Sequence, residues 1–170
     1  PQRLRHLPDA PVLLYFLGNA DLNAARTVAV VGTRRPTAQG IAVCEEIVEQ
    51  LSAYDVLLIS GLAYGIDGVA HRRSLETGTP TLGVLGHGLG HLYPARHRGL
   101  AEQMVRNGGL LSEYPGAAEP EREYFPMRNR IVAGLCDALI VIETAIKGGS
   151  MITAHFANDY HKDVFALPGR

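Results

Sequence analysis

Short apolar runs alternate along the chain with stretches in which apolar residues recur every three or four positions. In one such stretch Ile41, Cys44, Val48 and Leu51 share a helical face, and Thr37 is placed to cap its start. The apolar runs predict strands over residues 12–16, 27–31, 56–59, 81–85, 110–112, 138–142 and 164–167. The periodic stretches predict helices over residues 37–53, 66–76, 95–107, 125–136 and 150–160.

This alternation predicts an α/β fold, with an open, mostly parallel Rossmann-like sheet and helices on both faces. The strands are almost uninterrupted in apolar character, as expected when helices cover both faces of a sheet. We expect residues 1–170 to form a single Rossmann-like domain, in which residues 1–26 are an N-terminal lead-in with an edge strand. Because the chain starts at Pro1 and ends in turn-like residues, we expect it to be cut from a longer protein.

Most of the predicted strands are followed by a glycine that has polar or basic residues next to it in the sequence. The carboxyl ends of parallel strands share one edge of a sheet, so these segments should border one ligand-binding crevice. Each glycine alone is better explained as an ordinary tight turn. The segments together, with two arginines among them, favour an anion-binding crevice. They are Gly32-Thr33-Arg34-Arg35, Ser60-Gly61, Gly86-His87-Gly88 and Gly148-Gly149-Ser150.

The segment 147–153 has the composition of a phosphate-binding helix start. Two glycines lead into Ser150 and Thr153, which fall on one helical face, and Lys147 adds positive charge. Simple capping of the helix by these hydroxyls is an equally good explanation, and the sequence leaves both open.

The block 125–130 combines an aromatic residue, two arginines and an amide. Phe125 could stack on a base, Arg128 and Arg130 could bind phosphate, and Asn129 could hydrogen-bond a base edge. The alternative places Phe125 in the core and both arginines on a solvated helix face. Composition alone slightly favours that alternative.

The composition describes a globular chain without a strong overall charge. Hydrophobic residues make up 46% and the net charge is −1. No apolar run is long enough to span a membrane, so we expect no membrane partner. Fourteen of the sixteen basic residues are Arg, so a local basic pocket on a neutral body is compatible with the sequence. Cys44 and Cys136 are expected to be buried small hydrophobes in a cytoplasmic protein.

Several enzyme motifs are missing from the sequence. Gly32 is not followed by the further glycines of a dinucleotide fingerprint, and neither a P-loop nor a nucleophile elbow occurs. His87 and His91 are expected to be loop or surface residues, because no carboxylate or cysteine near them completes a metal site. Asp67 is expected to cap or orient the helix that starts beside it. Since no acid–base pair is evident, we expect a binding protein without catalytic residues, cofactor or metal.

Seven segments, in order along residues 12–169, match the motifs of one known family: 30–34, 60–71, 85–94, 112–115, 125–135, 149–154 and 164–169. Each motif alone is weak, whereas their joint order is highly specific. On these segments the chain resembles the DNA-processing protein A (DprA/Smf) family. Thr33 stands where that family usually has Ser, His87 stands where Cys is common, and Gly90-His91 replaces a pair that usually contains Asp.

The resemblance implies a Rossmann-like core that binds single-stranded DNA without hydrolysing it. Members of this family protect incoming DNA and load a RecA-type recombinase onto it during natural transformation, and they act as homodimers in the bacterial cytoplasm. Combined with the strand-end pattern, the resemblance gives these candidate DNA-binding residues: Gly32, Thr33, Arg34, Arg35, Thr37, Gly61, Ala63, Gly65, Phe125, Arg128, Asn129, Arg130, Lys147, Gly149, Ser150 and Thr153.

The second candidate function is enzymatic. Nucleotide phosphoribohydrolases of the lysine-decarboxylase-like (LOG) group have a related fold and a P-G-G-x-G-T-x-x-E motif that includes a catalytic Glu. The corresponding segment here, residues 147–154, contains no Glu, which weighs against hydrolysis. A module that senses a nucleotide or another ligand is the third candidate.

Overall fold

The computed structural model describes residues 1–167 as alternating strands and helices. The strands are β1 (Tyr15–Gly18), β2 (Thr27–Gly32), β3 (Leu57–Ser60), β4 (Thr81–Leu85), β5 (Gly108–Ser112), β6 (Ala138–Ile142) and β7 (Asp163–Ala166). The helices are α1 (Ala38–Leu51), α2 (Ile66–Glu76), α3 (Arg98–Arg106), α4 (Tyr124–Leu135) and α5 (Gly149–Asp159). The strands form one sheet in the order β1-β5-β4-β3-β2-β6-β7, in which β1 is antiparallel to β5 and the other pairs are parallel. The predicted Rossmann-like, mostly parallel α/β fold is confirmed.

Helices cover both faces of the sheet because its central strands are apolar on both sides. In β2, Ala29 and Val31 belong to the core that α4 and α5 cover, whereas Val30 belongs to the core beneath α1 and α2. Helix α3 packs on the second face through Ala101 and Met104. Within residues 1–167 no helix is long and apolar enough to cross a membrane.

Both cysteines are buried free thiols, as predicted. Cys44 lies in the core beneath α1, and Cys136 lies in the core on the opposite face of the sheet. Burial raises the pKa of each thiol to about 12, so neither is a reactive thiolate at neutral pH.

The direction of chain progression across the sheet reverses at β2. This strand pairs with β3 on one side and with β6 on the other. Open parallel sheets bind ligands beyond the carboxyl ends of their strands at such a reversal. Gly32, Gly61 and Gly149 all border one crevice at this edge, so the predicted position of the crevice is confirmed.

The edge strand β1 begins at Tyr15, three residues later than the sequence predicted. Val12 and Leu13 are exposed, and the strand extends to Gly18, which lies opposite Gly109 of β5. The apolar run misplaced the strand because pairing with β5, and not local hydrophobicity, sets its position. The last strand, β7, covers Asp163–Ala166 and so begins and ends one residue earlier than the predicted range 164–167. Pro168 and Gly169, at the end of the family motif 164–169, lie outside the described residues.

The glycine pair 108–109 begins β5, whereas the sequence predicted a helix up to residue 107 and a strand only from residue 110. Gly108 has a φ of +139°, and a side chain there would collide with the backbone of Thr81 in β4. Close approach of two strands therefore requires this glycine. The predicted helix over 95–107 is also divided, because Ala95–His97 forms a 3-10 turn before α3 begins.

His71 of α2 is fully buried beside β4. Its Nδ1 lies 2.7 Å from Oγ1 of Thr81, and the Thr81 hydroxyl donates to the carbonyl of Leu58 at 3.3 Å. The Thr81 oxygen therefore accepts from His71, which places the imidazole proton on Nδ1. Burial lowers the pKa of His71 from its ordinary value of 6.5 to about 3, so the imidazole is neutral in the folded protein.

This buried imidazole should make the protein sensitive to acid. Below about pH 6.5 the unfolded chain takes up a proton that the folded protein does not, so stability falls by up to about 1.4 kcal/mol per pH unit. We expect His71→Gln to lose unfolding free energy less steeply between about pH 6.5 and about pH 4, measured by urea unfolding. Equal slopes for the two proteins would contradict this assignment.

Candidate functional site

A crevice of about 940 Å³ lies beyond the carboxyl ends of β2, β3 and β6. Two of its lining residues are strand-end glycines at which a side chain would crowd neighbouring atoms. A Cβ at Gly32 would collide with the backbone of Ile142, and one at Gly61 would lie 2.7 Å from the Arg128 guanidinium. The loops after the strands and the first turns of α4 and α5 supply much of the rest. The volume is in the range of small-molecule and cofactor pockets.

Arg34 is exposed at the crevice, directly after β2. Gly65 has a φ of +77° and approaches the backbone of Thr33 and Arg34 so closely that a side chain would collide with it. On the other side, the Thr33 amide donates to the Glu143 carbonyl at 2.7 Å. The Thr33 hydroxyl accepts from the Arg35 amide at 3.2 Å. The backbone around Arg34 is therefore fixed, while its side chain remains in solvent.

Arg128 of α4 is only 4% exposed. Its Nη1 donates to the carbonyl of Gly61 at 2.6 Å and also to the carbonyl of Val84, so it joins the ends of β3 and β4. Burial lowers the pKa of Arg128 to about 10, opposed by the nearby charge of Asp67, and the guanidinium stays protonated at neutral pH. The interpretation of Arg128 as part of a solvated helix face is therefore wrong.

Asp67 lies beside this guanidinium and is 7% exposed. Its Oδ2 accepts from the Ala63 amide at 3.3 Å, so Asp67 orients the loop before α2, whereas the sequence predicted that it caps or orients the helix itself. Burial raises the pKa of Asp67, and the charge of Arg128 opposes that rise. Among the crevice-lining residues in the described range 1–167, Asp67 is the one carboxylate, against three arginines, Arg34, Arg122 and Arg128. The crevice is thus locally positive on a nearly neutral protein.

One face of α4 lines the crevice. Phe125, Arg128, Asn129 and Val132 recur at helical spacing, and all four border the cavity. Phe125 is partly buried, and its ring centroid lies 5.4 Å from that of Tyr93. Part of the Phe125 ring is therefore open to a ligand. Asn129 Nδ2 donates to the Gly149 carbonyl at 3.1 Å, which links α4 to the start of α5.

The helices α1 and α5 differ in how their N-termini are satisfied. Thr37 caps α1 by accepting from the Gly40 amide at 3.0 Å, and the Glu143 carboxylate accepts from both the amide and the hydroxyl of Thr37. No side chain of residues 1–167 caps α5, and Ser150 Oγ donates instead to Thr144 Oγ1 at 2.5 Å. The Met151 amide already donates to the Gly148 carbonyl at 3.0 Å, so the amides of Gly149 and Ser150 are the ones left for an anion in the crevice.

The crevice brings together most of the residues that the sequence singled out. Its lining includes Gly32, Thr33, Arg34, Gly61, Ala63, Phe125, Arg128, Asn129, Gly149, Ser150 and Thr153. Gly65 and Thr37 support neighbouring backbone instead of lining the crevice. Arg130 is engaged elsewhere, because its Nη2 pairs with Glu113 at 2.6 Å. Arg35 and Lys147 are exposed near the crevice but do not line it.

Several lining residues were not selected as site residues from the sequence. Tyr93 is 43% exposed and belongs to a Tyr-Pro pair after a glycine-rich loop, which was the available signal. Arg122 is exposed within the acidic loop 115–123, where neighbouring glutamates obscured it. The others are Val31, Asp67, Pro120, Pro126, Val132, Thr144, Ala145, Gly148 and Ile152.

His87 lies in a loop, as predicted, but is buried and not at the surface. Its Nε2 accepts from the Tyr93 amide at 3.2 Å, so the proton resides on Nδ1, which donates to the Gly88 carbonyl at 3.0 Å. Burial lowers the pKa of His87 and keeps it neutral. In the part of the chain that the structure describes, no cluster of His, Cys, Asp and Glu is arranged to hold a metal ion.

Comparison with known families identifies DNA recombination-mediator protein A, whose family profile matches residues 1–170. Protein Smf of Synechocystis is 43% identical over 172 residues, an alignment that covers 99% of this chain and 43% of that protein. The chain spans 43% to 60% of the length of the first curated relatives that it matches.

Two similar solved structures agree with the family match. DNA processing protein A from Streptococcus pneumoniae is 41% identical with a TM-score of 0.94, covering 100% of this chain and 60% of that one. DNA processing protein A from Helicobacter pylori is 32% identical with a TM-score of 0.93, covering 100% and 78%. The Helicobacter structure is described as giving insight into the unique single-stranded DNA binding mode of that protein.

The burial of Arg128 predicts a loss of stability that Arg34 should not share. Arg128→Met removes the donor to two strand-end carbonyls and leaves Asp67 buried without its neighbouring charge, so the unfolding free energy should fall by about 3 kcal/mol. Arg34→Met changes an exposed side chain and should alter stability by less than about 0.5 kcal/mol. Urea unfolding of both variants measures the difference. Equal stability of the two variants would show that Arg128 has no anchoring role.

Proposed function

Because the chain belongs to the DNA recombination-mediator protein A family, we propose that it binds single-stranded DNA in the crevice beyond β2, β3 and β6. The most direct support for this proposal is that three groups border the same cavity. They are the exposed Arg34, the partly buried ring of Phe125 and the uncapped N-terminus of α5.

Arg34 and the first turn of α5 bind the phosphates in this proposal. A guanidinium offers paired donors that fit a phosphate, and helix-terminal amides add further donors and a favourable dipole. The buried charge of Arg128 strengthens the positive potential of the crevice, but the Arg128 side chain does not contact the DNA. By contrast, the N-terminus of α1 is closed by Thr37 and Glu143, so phosphates are directed toward α5.

Phe125 supplies the contact to a base. Its ring is held by Tyr93 on one side and open to the crevice on the other. Bases of a single strand can stack on such a ring, whereas a duplex keeps its bases paired and stacked inside. The site therefore favours single strands over duplex DNA.

The wider role follows the family and is part of the proposal. Residues 1–170 act as one Rossmann-like DNA-binding domain of a cytoplasmic homodimer. This protein protects incoming DNA and loads a RecA-type recombinase onto it during natural transformation. Light scattering tests the dimer, and recombinase assembly on DNA coated with this protein tests the loading. A lack of any stimulation would remove the recombinase from the proposal.

Arg34 and Phe125 should contribute to DNA affinity in different ways. Arg34→Ala removes a phosphate contact and should lower the slope of log affinity against log salt by roughly one charge equivalent. Phe125→Ala removes stacking and should cost about 1–3 kcal/mol with little change in that slope. Fluorescence titration with oligothymidine at several salt concentrations measures both effects.

Arg106 provides the matched control for this experiment. It is an exposed arginine at the end of α3, just before β5 begins, and so lies at the opposite edge of the sheet. Arg106→Ala should bind DNA as the unchanged protein does. The two-part site is wrong if Arg34→Ala binds normally while Phe125→Ala only melts at a lower temperature.

The same site should not hydrolyse nucleotides. Asp67, its one lining carboxylate among the described residues, is occupied by the Ala63 amide and lies against Arg128. We therefore expect no release of free base from nucleoside monophosphates above a heat-inactivated control. Release that disappears in Asp67→Asn would instead favour the phosphoribohydrolase alternative.

A further inference from the structure

A row of aromatic side chains continues from the crevice along the neighbouring surface. The Phe125 ring packs against Tyr93 at 5.4 Å, and Tyr93 packs against Tyr64 at 6.5 Å between centroids. Tyr93 is 43% exposed and Tyr64 is 40% exposed. A single strand that passes Phe125 therefore meets two further ring surfaces that are open to solvent.

Buried histidines fix this row in place. The amide of Tyr93 donates to Nε2 of the buried His87 at 3.2 Å. The ring of Tyr64 lies edge-on to His97, with centroids 5.6 Å apart, and His97 Nδ1 bonds the Leu62 carbonyl at 3.0 Å. Because these partners are part of the protein interior, the tyrosine rings need little further ordering when a ligand binds.

A small cleft connects the row to the crevice. It is lined by Tyr64, Tyr93 and Phe125, and it shares Arg34 and Gly61 with the main cavity. Arg34, Tyr93 and Phe125 therefore border both the crevice and the cleft, whereas Tyr64 borders the cleft alone. A phosphate bound at Arg34 would therefore lie beside a cleft that Tyr93 and Tyr64 also line.

The surroundings of the row suit a polyanion. Arg72 and His97 both border Gly68, and Arg96 and Arg98 flank His97 in the chain. All three arginines are exposed. The segment 77–101, which contains Tyr93 and two of these arginines, includes no Asp or Glu. Exposed aromatic rings with interspersed cations are the pattern that binds single strands without reading their sequence.

We propose that Tyr93 and Tyr64 form a second stacking platform, which binds the nucleotides that leave the crevice past Phe125. The platform rests on the proposed function of the crevice and extends it. The DNA site is then longer than the crevice, and its outer part is insensitive to base identity. Tyr93 is the inner position and also supports Phe125, so Tyr64 is the position that tests the platform alone.

Oligothymidines of about 4 and about 12 nucleotides separate the crevice from the platform, since only the longer strand can cover both. Tyr64→Leu should weaken the longer strand by about fivefold or more and leave the shorter strand unchanged. Tyr64→Phe retains the ring and should restore the affinity. Tyr54→Leu is the matched control, because Tyr54 is 62% exposed between α1 and β3, at the opposite edge of the sheet.

A second readout does not depend on losing a side chain. The chain contains no Trp, so Tyr64→Trp introduces a single indole at the platform. Its fluorescence should be quenched by the longer oligothymidine and not by the shorter one. An indole introduced as Tyr54→Trp should respond to neither.

The outcomes distinguish the platform from the crevice. If the unchanged protein binds both lengths but Tyr64→Leu weakens both equally, or neither, the platform is refuted while DNA binding in the crevice stands. If the fluorescence of Tyr64→Trp does not change when the longer oligothymidine is added, the platform is refuted as well. If the unchanged protein binds neither oligothymidine, the proposed function fails, and the platform fails with it.

Discussion

The guanidinium of Arg128 is hydrogen-bonded to the carbonyls of Gly61 and Val84, where β3 and β4 end. This contact ties α4 to the edge of the sheet. Gly61 leaves room for this contact, since a Cβ there would lie 2.7 Å from Nη2 of the same guanidinium and would displace it. Phe125 and Asn129 share the helical face of Arg128, so the contact also sets their positions along the crevice. A buried cation thus serves here as an anchor, and the residues beside it remain available to a ligand.

The charge of the crevice depends on which groups the protein neutralises internally. Glu143 closes the N-terminus of α1 through Thr37, whereas the N-terminus of α5 has no side-chain cap among the described residues. Arg130 is paired with Glu113, and Arg34 is left exposed. An anion entering the crevice therefore meets the N-terminus of α5 and the exposed side chains of Arg34 and Arg122. This local arrangement explains how a chain of net charge −1 can have a locally positive crevice.

Much of the fold and part of the site could be predicted from local sequence patterns. Alternating apolar runs and helical periodicity determine the order of strands and helices, and parallel strands must place their carboxyl ends at one edge. That rule alone brings Gly32, Gly61 and Gly149 together. The pattern failed where pairing between strands decides the outcome, as at Gly108, whose positive φ serves its contact with Thr81 and not a helix end.

The sequence by itself therefore determined the architecture, the edge of the sheet at which the crevice lies and many of the residues that line it. The tertiary structure alone decided what each side chain does there. Arg128 and Arg130 look alike in the sequence, yet one is buried under strand-end carbonyls and the other is paired with Glu113. The row from Phe125 to Tyr64 joins residues from three separate segments. Burial and long-range pairing depend on which segments pack together, and no local spacing records that information.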